Sequence, residues 1–141
     1  MSISNPGAVT RILGYAGLIP FVLPALLVAI DAPQAAMATT IAGAYALAIL
    51  CFLFGSWWGM AQQSGVGATL WLSNGLLLLA LGIYLFANTW WLVSAAVLLA
   101  VAWLIEQNRK LFPAYPAAYR QLRSVLTGVA AVSMIVIHLS A

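Results

Sequence analysis

The chain's one long polar segment is EQNRKLFPAYPAAYRQLR, residues 106–123, and it lies between two apolar runs. It holds four of the five basic residues of the chain and one of its two acids. The 141 residues as a whole are 65% hydrophobic and 5% charged, whereas a soluble domain is about 25% charged. So few charges cannot cover a globule with a wetted surface, and the sequence therefore predicts a protein embedded in lipid.

On either side of this segment, the apolar runs are long enough to cross a bilayer. A hydrocarbon core about 30 Å thick takes about 20 helical residues to cross. The spans should be helical because backbone amides find no water in hydrocarbon, and continuous apolar runs lack the alternation of barrel strands. The predicted fold is one all-α membrane domain, residues 1–141, a bundle of five transmembrane helices with spans Ile12–Ile30, Ala35–Met60, Ala68–Ala87, Trp90–Ile105 and Arg123–Leu139.

The basic residues predict the orientation of these spans. Five spans place the amino terminus and residues 106–123 on one side, and all five basic residues fall on that side. The opposite loops carry Asp31 and neither Lys nor Arg. By the positive-inside rule, the amino terminus and residues 106–123 are predicted to face the cytoplasm, or the matrix in an organelle. In a bacterial inner membrane, the predicted location, the carboxyl terminus is then periplasmic.

Groups that could carry chemistry are few. The chain has one His, His138, and one Cys, Cys51. Its two acids, Asp31 and Glu106, are predicted on opposite membrane faces, so they cannot form a carboxylate pair, and the usual metal clusters are also lacking. We expect no enzymatic activity, no cofactor and no metal. Five basic residues without a polar scaffold also argue against nucleic acid as a partner.

The polar segment combines aromatic residues and cations with proline breakers. Such a strip is expected to lie in the headgroup layer, with its rings inserted and its cations on lipid phosphates. It could serve as a general membrane anchor or dock a specific lipid or partner. Glu106 is expected to pair locally with Arg109 and Lys110, at i+3 and i+4 on a helix. The predicted lipid-interface residues are Arg109, Lys110, Phe112, Tyr115, Tyr119, Arg120 and Arg123.

Small residues and tryptophans suggest where helices meet. Small residues let helix backbones approach closely in lipid. The predicted helix-packing or partner-contact residues are Gly14, Gly17, Gly55, Gly59, Trp57 and Trp58. Internal packing and contact with a second protein both remain open for this set. Pro20 and Pro24 should bend the first span.

Three polar side chains, Tyr45, Asn74 and Tyr84, are predicted at lipid depth. They either make hydrogen bonds between helices or line a small polar cavity.

Three blocks of sequence resemble a known family. They are LGYAGLIPF at residues 13–21, FLFGSWWGMA at 52–61, and residues 113–127 with YRQLR at 119–123. In this order they are similar to the family called domain of unknown function 3429, which includes the mitochondrial transmembrane protein 69 group. The resemblance implies a small multispan inner-membrane protein without an established activity. Family members tend to carry His before the Trp-Gly of the second block, where this chain has Trp57.

The leading hypothesis for function is a non-catalytic accessory or assembly subunit that packs against a larger membrane complex. Membrane lipids and that complex would be its partners. A small transporter or channel is one alternative, and a lipid- or quinone-binding membrane protein is another.

The odd number of spans can be tested directly. Cysteines introduced at Ser2 and Ala141 should react with a membrane-impermeant label from opposite sides of intact vesicles. Labelling of both ends from one side would contradict the five-span topology.

Overall fold

The computed structural model describes residues 5–113 and 117–141, and its regular elements in these ranges are all helical. Within the described residues, five helical stretches are long and apolar enough to cross a membrane, with mean hydropathies of 1.8 to 2.2. The predicted all-α, multi-pass fold is therefore confirmed. The helices are α1 (Pro6–Ala16), α2 (Ile19–Ala29), α3 (Ala35–Ser64), α4 (Gly67–Phe86), α5 (Trp91–Glu106) and α6 (Ala117–Ser140), with a 3-10 turn at Asn88–Trp90.

Several helices extend beyond the predicted spans. Backbone hydrogen bonding does not stop at the edge of the hydrocarbon, so α3 continues past Met60 to Ser64. It ends at Gly65, whose φ of 72° is the left-handed conformation that glycine adopts most readily at a helix end. The last helix begins at Ala117 rather than at Arg123, because residues 117–122 include good helix formers such as Ala118 and Gln121.

The first span is divided into α1 and α2 at Gly17–Leu18. Pro20 has no N–H, so the carbonyl of Ala16 loses its usual helical donor. The N–H of Phe21 bonds to Leu18 instead of Gly17, which releases the Gly17 carbonyl. That carbonyl accepts a hydrogen bond from the Tyr45 hydroxyl of α3 at 2.9 Å. Just before Pro20, where a bend is expected, the α-helical hydrogen bonding is thus interrupted, although Gly17 and Leu18 keep right-handed helical dihedral angles.

The core of the bundle is centred on α3, which packs against α2, α4 and α5, while α6 packs against α5 and α2. Alanines on α3, such as Ala42 and Ala46, are fully buried and let neighbouring helices approach closely. The indole Nε1 of Trp91 on α5 donates to the carbonyl of Gly43 at 2.8 Å. None of the residues 6–16 of α1 is buried, so α1 is the most loosely held helix.

The two ends of the bundle differ in charge. All five basic residues, Arg11, Arg109, Lys110, Arg120 and Arg123, share one end, which we call the basic end. Glu106 lies at this end as well. Asp31 lies at the opposite end, between α2 and α3, where the Trp90 and His138 rings are 5.4 Å apart. Which side of a membrane the basic end faces stays a prediction from the positive-inside rule.

Candidate functional site

A buried ion pair joins α5 and α6 at the basic end. Glu106, the last residue of α5, is fully buried, and Arg123 is 7% exposed. The Arg123 Nε lies 3.2 Å from Glu106 Oε2, and Nη2 lies 3.3 Å from Oε1. The indole Nε1 of Trp57 also donates to Oε1 at 3.0 Å. One carboxylate thus holds α3, α5 and α6 together, by a forked contact of the kind that arginine makes with carboxylates.

The predicted local pairing of Glu106 with Arg109 and Lys110 is wrong. The helix ends at Glu106, so the next residues leave the spacing on which that prediction relied, and both basic side chains are exposed. A signal for burial was present in the sequence. Glu106 follows Leu99 and Ala102 at intervals of seven and four residues, which places it on the buried face of α5.

Phe112 and Arg123, which were predicted to contact lipid headgroups, are buried inside the protein. Phe112 is 2% exposed and packs edge-on against Trp57, with ring centroids 5.1 Å apart. Arg123 faces Glu106 rather than lipid phosphate, because a buried carboxylate needs a cation beside it. Arg109 and Lys110 are exposed, as an interfacial role requires.

The other interface candidates are partly covered or undescribed. Tyr119 and Arg120 are half-buried on α6. Tyr115 lies outside the described residues.

A cavity opens beside this ion pair, between α1, α3 and α6. Its outer chamber, about 910 Å³, lies at the basic end and has polar side chains in its wall, among them Thr10, Arg11, Gln63, Ser64 and Gln121. The inner chamber, about 390 Å³, lies deeper and is lined mainly by apolar groups such as Phe21, Ile49, Leu53, Leu126 and Ala130. The two chambers share Thr10, Ser56, Tyr119 and Leu122. Together they form one cavity whose polarity falls with depth.

Two polar side chains of the cavity wall stand out. Thr127 is 6% exposed and lines the inner chamber. Within the described part of the chain, its hydroxyl has no hydrogen-bond partner, although an unpaired buried hydroxyl is unfavourable. Arg11 is exposed, lines the outer chamber, and makes no ion pair with residues 5–113 or 117–141. Both side chains can therefore contact a molecule in the cavity.

The predicted packing residues divide into two groups. A Cβ atom on Gly14 would lie 3.3 Å from Leu122 and Leu126, so this glycine sets the close approach of α1 to α6. Gly17 faces the Tyr45 hydroxyl, and Trp57 is buried. A Cβ atom on Gly55 or Gly59 would meet no described atom within 4 Å, and Trp58 is 44% exposed. This second group faces outward.

Tyr45, Asn74 and Tyr84 do not line a common cavity among the described residues. Tyr45 lines the inner chamber. The Asn74 amide is exposed and donates to Leu70 of its own helix at 3.0 Å. Tyr84 packs edge-on against Trp91, with ring centroids 5.4 Å apart. The other interpretation, a hydrogen bond between helices, fits Tyr45, whose hydroxyl donates to the Gly17 carbonyl. Asn74 bonds within its own helix, and Tyr84 makes a ring contact.

Removing one partner of the buried pair should destabilise the protein strongly. Arg123→Met leaves the Glu106 carboxylate buried without its cation, which we expect to lower the free energy of unfolding by about 3–5 kcal/mol. Adding Glu106→Gln to that variant should restore most of the loss, because no charge is then left unpaired. Unfolding in detergent micelles measures both. Equal losses in the single and double variants would contradict the charge argument, and the exposed Lys110→Met serves as control.

Comparison with known proteins shows the family. The family model described as "Protein of unknown function (DUF3429)" matches residues 7–139. Transmembrane protein 69 of Xenopus tropicalis is 34% identical over an alignment of 131 residues, and the match covers 87% of this chain and 51% of that protein. The chain thus spans about half the length of this curated relative, and no solved structure matches. The matched range includes the buried pair and almost the whole cavity wall. Because the family model covers residues 7–139, this multi-pass membrane chain belongs to the DUF3429 family.

Proposed function

We propose that this protein is a non-catalytic membrane protein that binds an amphipathic, lipid-like molecule in the cavity between α1, α3 and α6. One observation carries the proposal. The outer chamber, which has more polar side chains in its wall, adjoins a more apolar inner chamber and shares wall residues with it. A molecule with a polar head and an apolar tail matches that gradient, since apolar groups favour the inner chamber and polar groups the outer one.

The depth of the cavity also fits a lipid. Its wall on α6 runs from Ala118 to Ala130, which at 1.5 Å per residue is about 18 Å. Half of a hydrocarbon core about 30 Å thick is of similar size. The cavity therefore extends through about one leaflet, with its polar chamber at the basic end, where the headgroups of that leaflet would lie.

The weak packing of α1 supports entry of the lipid into the cavity from the surrounding membrane. This helix has no buried residue between Pro6 and Ala16, and Ile12, Leu13 and Tyr15 are at least half exposed. The break at Gly17–Leu18 separates it from α2. A lipid that enters beside α1 would stay in hydrocarbon throughout, which avoids exposing its tail to water.

The residues that line the cavity favour a binding role over transport or catalysis. The polar residues Asn74 and Tyr84 lie away from the cavity, so they add nothing to a route across the bundle. Neither acid of the chain lines a described chamber. We propose that the basic end faces the cytoplasm, because it carries the five basic residues. The proposal of a bacterial inner membrane rests on the family resemblance of the sequence blocks, and the curated relative is from a vertebrate.

Filling the inner chamber should prevent binding. Thr127→Phe puts a ring into that chamber, and we expect the purified protein to lose co-purified lipid, because the tail has no space. Native mass spectrometry from mild detergent counts the retained lipids. Val132→Phe is the matched control, since it adds the same ring to the same helix at a position that is 62% exposed. Unchanged lipid retention in Thr127→Phe would refute the proposal.

An accessory or assembly subunit is the second candidate, and an outward face of α3 that borders the inner chamber at Phe52 favours it. Gly55 and Gly59 form a small-x-x-x-small pair with open space around both, the kind of face on which another transmembrane helix packs. Phe52 and Trp58 beside them are 75% and 44% exposed. A partner helix on this face would cover both rings.

This candidate predicts a larger assembly in mild detergent. Gly55→Leu should release the chain from that assembly, because the added side chain keeps the partner helix away. Gly128→Leu is the control, an equally open glycine on α6. Recovery of the native chain only as a free monomer, at every expression level, would count against an accessory role.

A further inference from the structure

We propose that the cavity selects an anionic phospholipid, with the phosphate in the outer chamber beside Arg11 and an acyl chain in the inner chamber beside Thr127. This inference rests on the proposed function and adds the chemical class of the ligand. It depends on three observations: the charge balance of the basic end, the connection between the chambers, and the buried hydroxyl of Thr127.

The charge balance favours an anion. The basic end holds all five cations of the chain and one acid, Glu106. Glu106 lies in the buried contact with Arg123 and lines neither described chamber. Arg11 is exposed in the outer chamber, with no ion pair to the residues that the structure describes. The outer chamber therefore presents positive charge, which attracts an anionic headgroup at the membrane surface.

The connection between the chambers favours a lipid over a soluble anion. A free phosphate would satisfy Arg11 but leave the apolar inner chamber without an occupant. Leu122 and Tyr119 belong to both walls, so an acyl chain can continue from a headgroup bound in the outer chamber. Burial of that chain against residues such as Leu126 and Ile49 adds a favourable contribution that an inorganic ion lacks.

Thr127 provides a hydrogen-bond donor at the depth where the ester oxygens of a bound phospholipid would lie. Gly14 of α1 packs on Leu122 and Leu126, which fixes the level of the two helices relative to each other. Arg11 lies about one turn nearer the basic end than Gly14, and Thr127 lies just beyond Leu126 on the inner side. The ester oxygens of a glycerophospholipid lie between its phosphate and its chains, so one of them can accept a hydrogen bond from the Thr127 hydroxyl.

The experiment offers two headgroups to the full chain. The protein is reconstituted in vesicles with equal amounts of phosphatidylglycerol, which is anionic, and phosphatidylcholine, which is zwitterionic. It is then extracted in mild detergent, and native mass spectrometry identifies the retained lipids. We expect phosphatidylglycerol to be enriched about fivefold, the ratio that corresponds to about 1 kcal/mol for one basic side chain near a lipid headgroup.

Three variants test where the headgroup and the ester oxygens bind, and two of them remove the same charge at different positions. Arg11→Gln should remove the enrichment, whereas Arg109→Gln should keep it, because Arg109 is exposed and lies outside both described chambers. Thr127→Val keeps the shape of the side chain but removes the hydroxyl, and should reduce retention of both lipids without changing their ratio. An excess of inorganic phosphate should not displace the lipid, since the acyl chain contributes to binding.

The possible failures are distinguishable. Retention of both lipids in equal amounts would overturn the headgroup preference and leave the proposed lipid binding intact. Equal loss of enrichment in Arg11→Gln and Arg109→Gln would assign the preference to the charge of the whole basic end, which also overturns the inference. Displacement by inorganic phosphate would identify a soluble anion as the ligand. Absence of any retained lipid in the unmodified protein would refute the proposed function itself.

Discussion

A carboxylate inside a membrane protein must be matched by a cation and by hydrogen-bond donors, and that requirement organises the basic end of this bundle. Glu106 has no contact with water, and Arg123 and Trp57 approach it from two other helices. Loss of hydration makes such a pair a weak source of net stability. Its geometric effect is more direct, because one carboxylate accepts hydrogen bonds from α3 and α6 and so ties both helices to the end of α5. Because α3 and α6 also form the cavity wall, the same contacts fix the relative position of these two sides of the cavity.

The helix that completes the cavity is held in a different way. Among the described residues, the contacts between α1 and the bundle include a close approach at Gly14 and, just beyond its end, the hydrogen bond from Tyr45 to Gly17. A membrane provides no hydrophobic force that would press α1 onto its neighbours, since lipid tails are as apolar as its own side chains. Three helices fixed by a buried pair and one helix held by a few contacts leave room between them for a ligand.

The sequence predicts the fold well because hydrocarbon permits few alternatives. Long apolar runs must be helical there, and the number of such runs in the sequence gives the number of spans. It also places the cations at one end. The partner of Glu106 was missed because the i+3 and i+4 rule assumes that α5 continues to Lys110, whereas it ends at Glu106. Phe112 was misplaced since an aromatic residue next to cations is also typical of a headgroup strip. The cavity depends on the spacing of α1 and α6, which no local pattern of residues encodes.

The unequal lengths of neighbouring helices have a mechanical consequence. With 30 residues, α3 is about 45 Å long, while α4, with 20 residues, is about 30 Å long. Only α4 matches the hydrocarbon thickness of a typical bilayer, so α3 must tilt or project from it. Gln63 and Ser64, at the end of α3, belong to the wall of the outer chamber. The shape of the cavity should therefore depend on bilayer thickness. A thinner membrane favours a larger tilt of α3 from the membrane normal, which shifts one rim of the cavity.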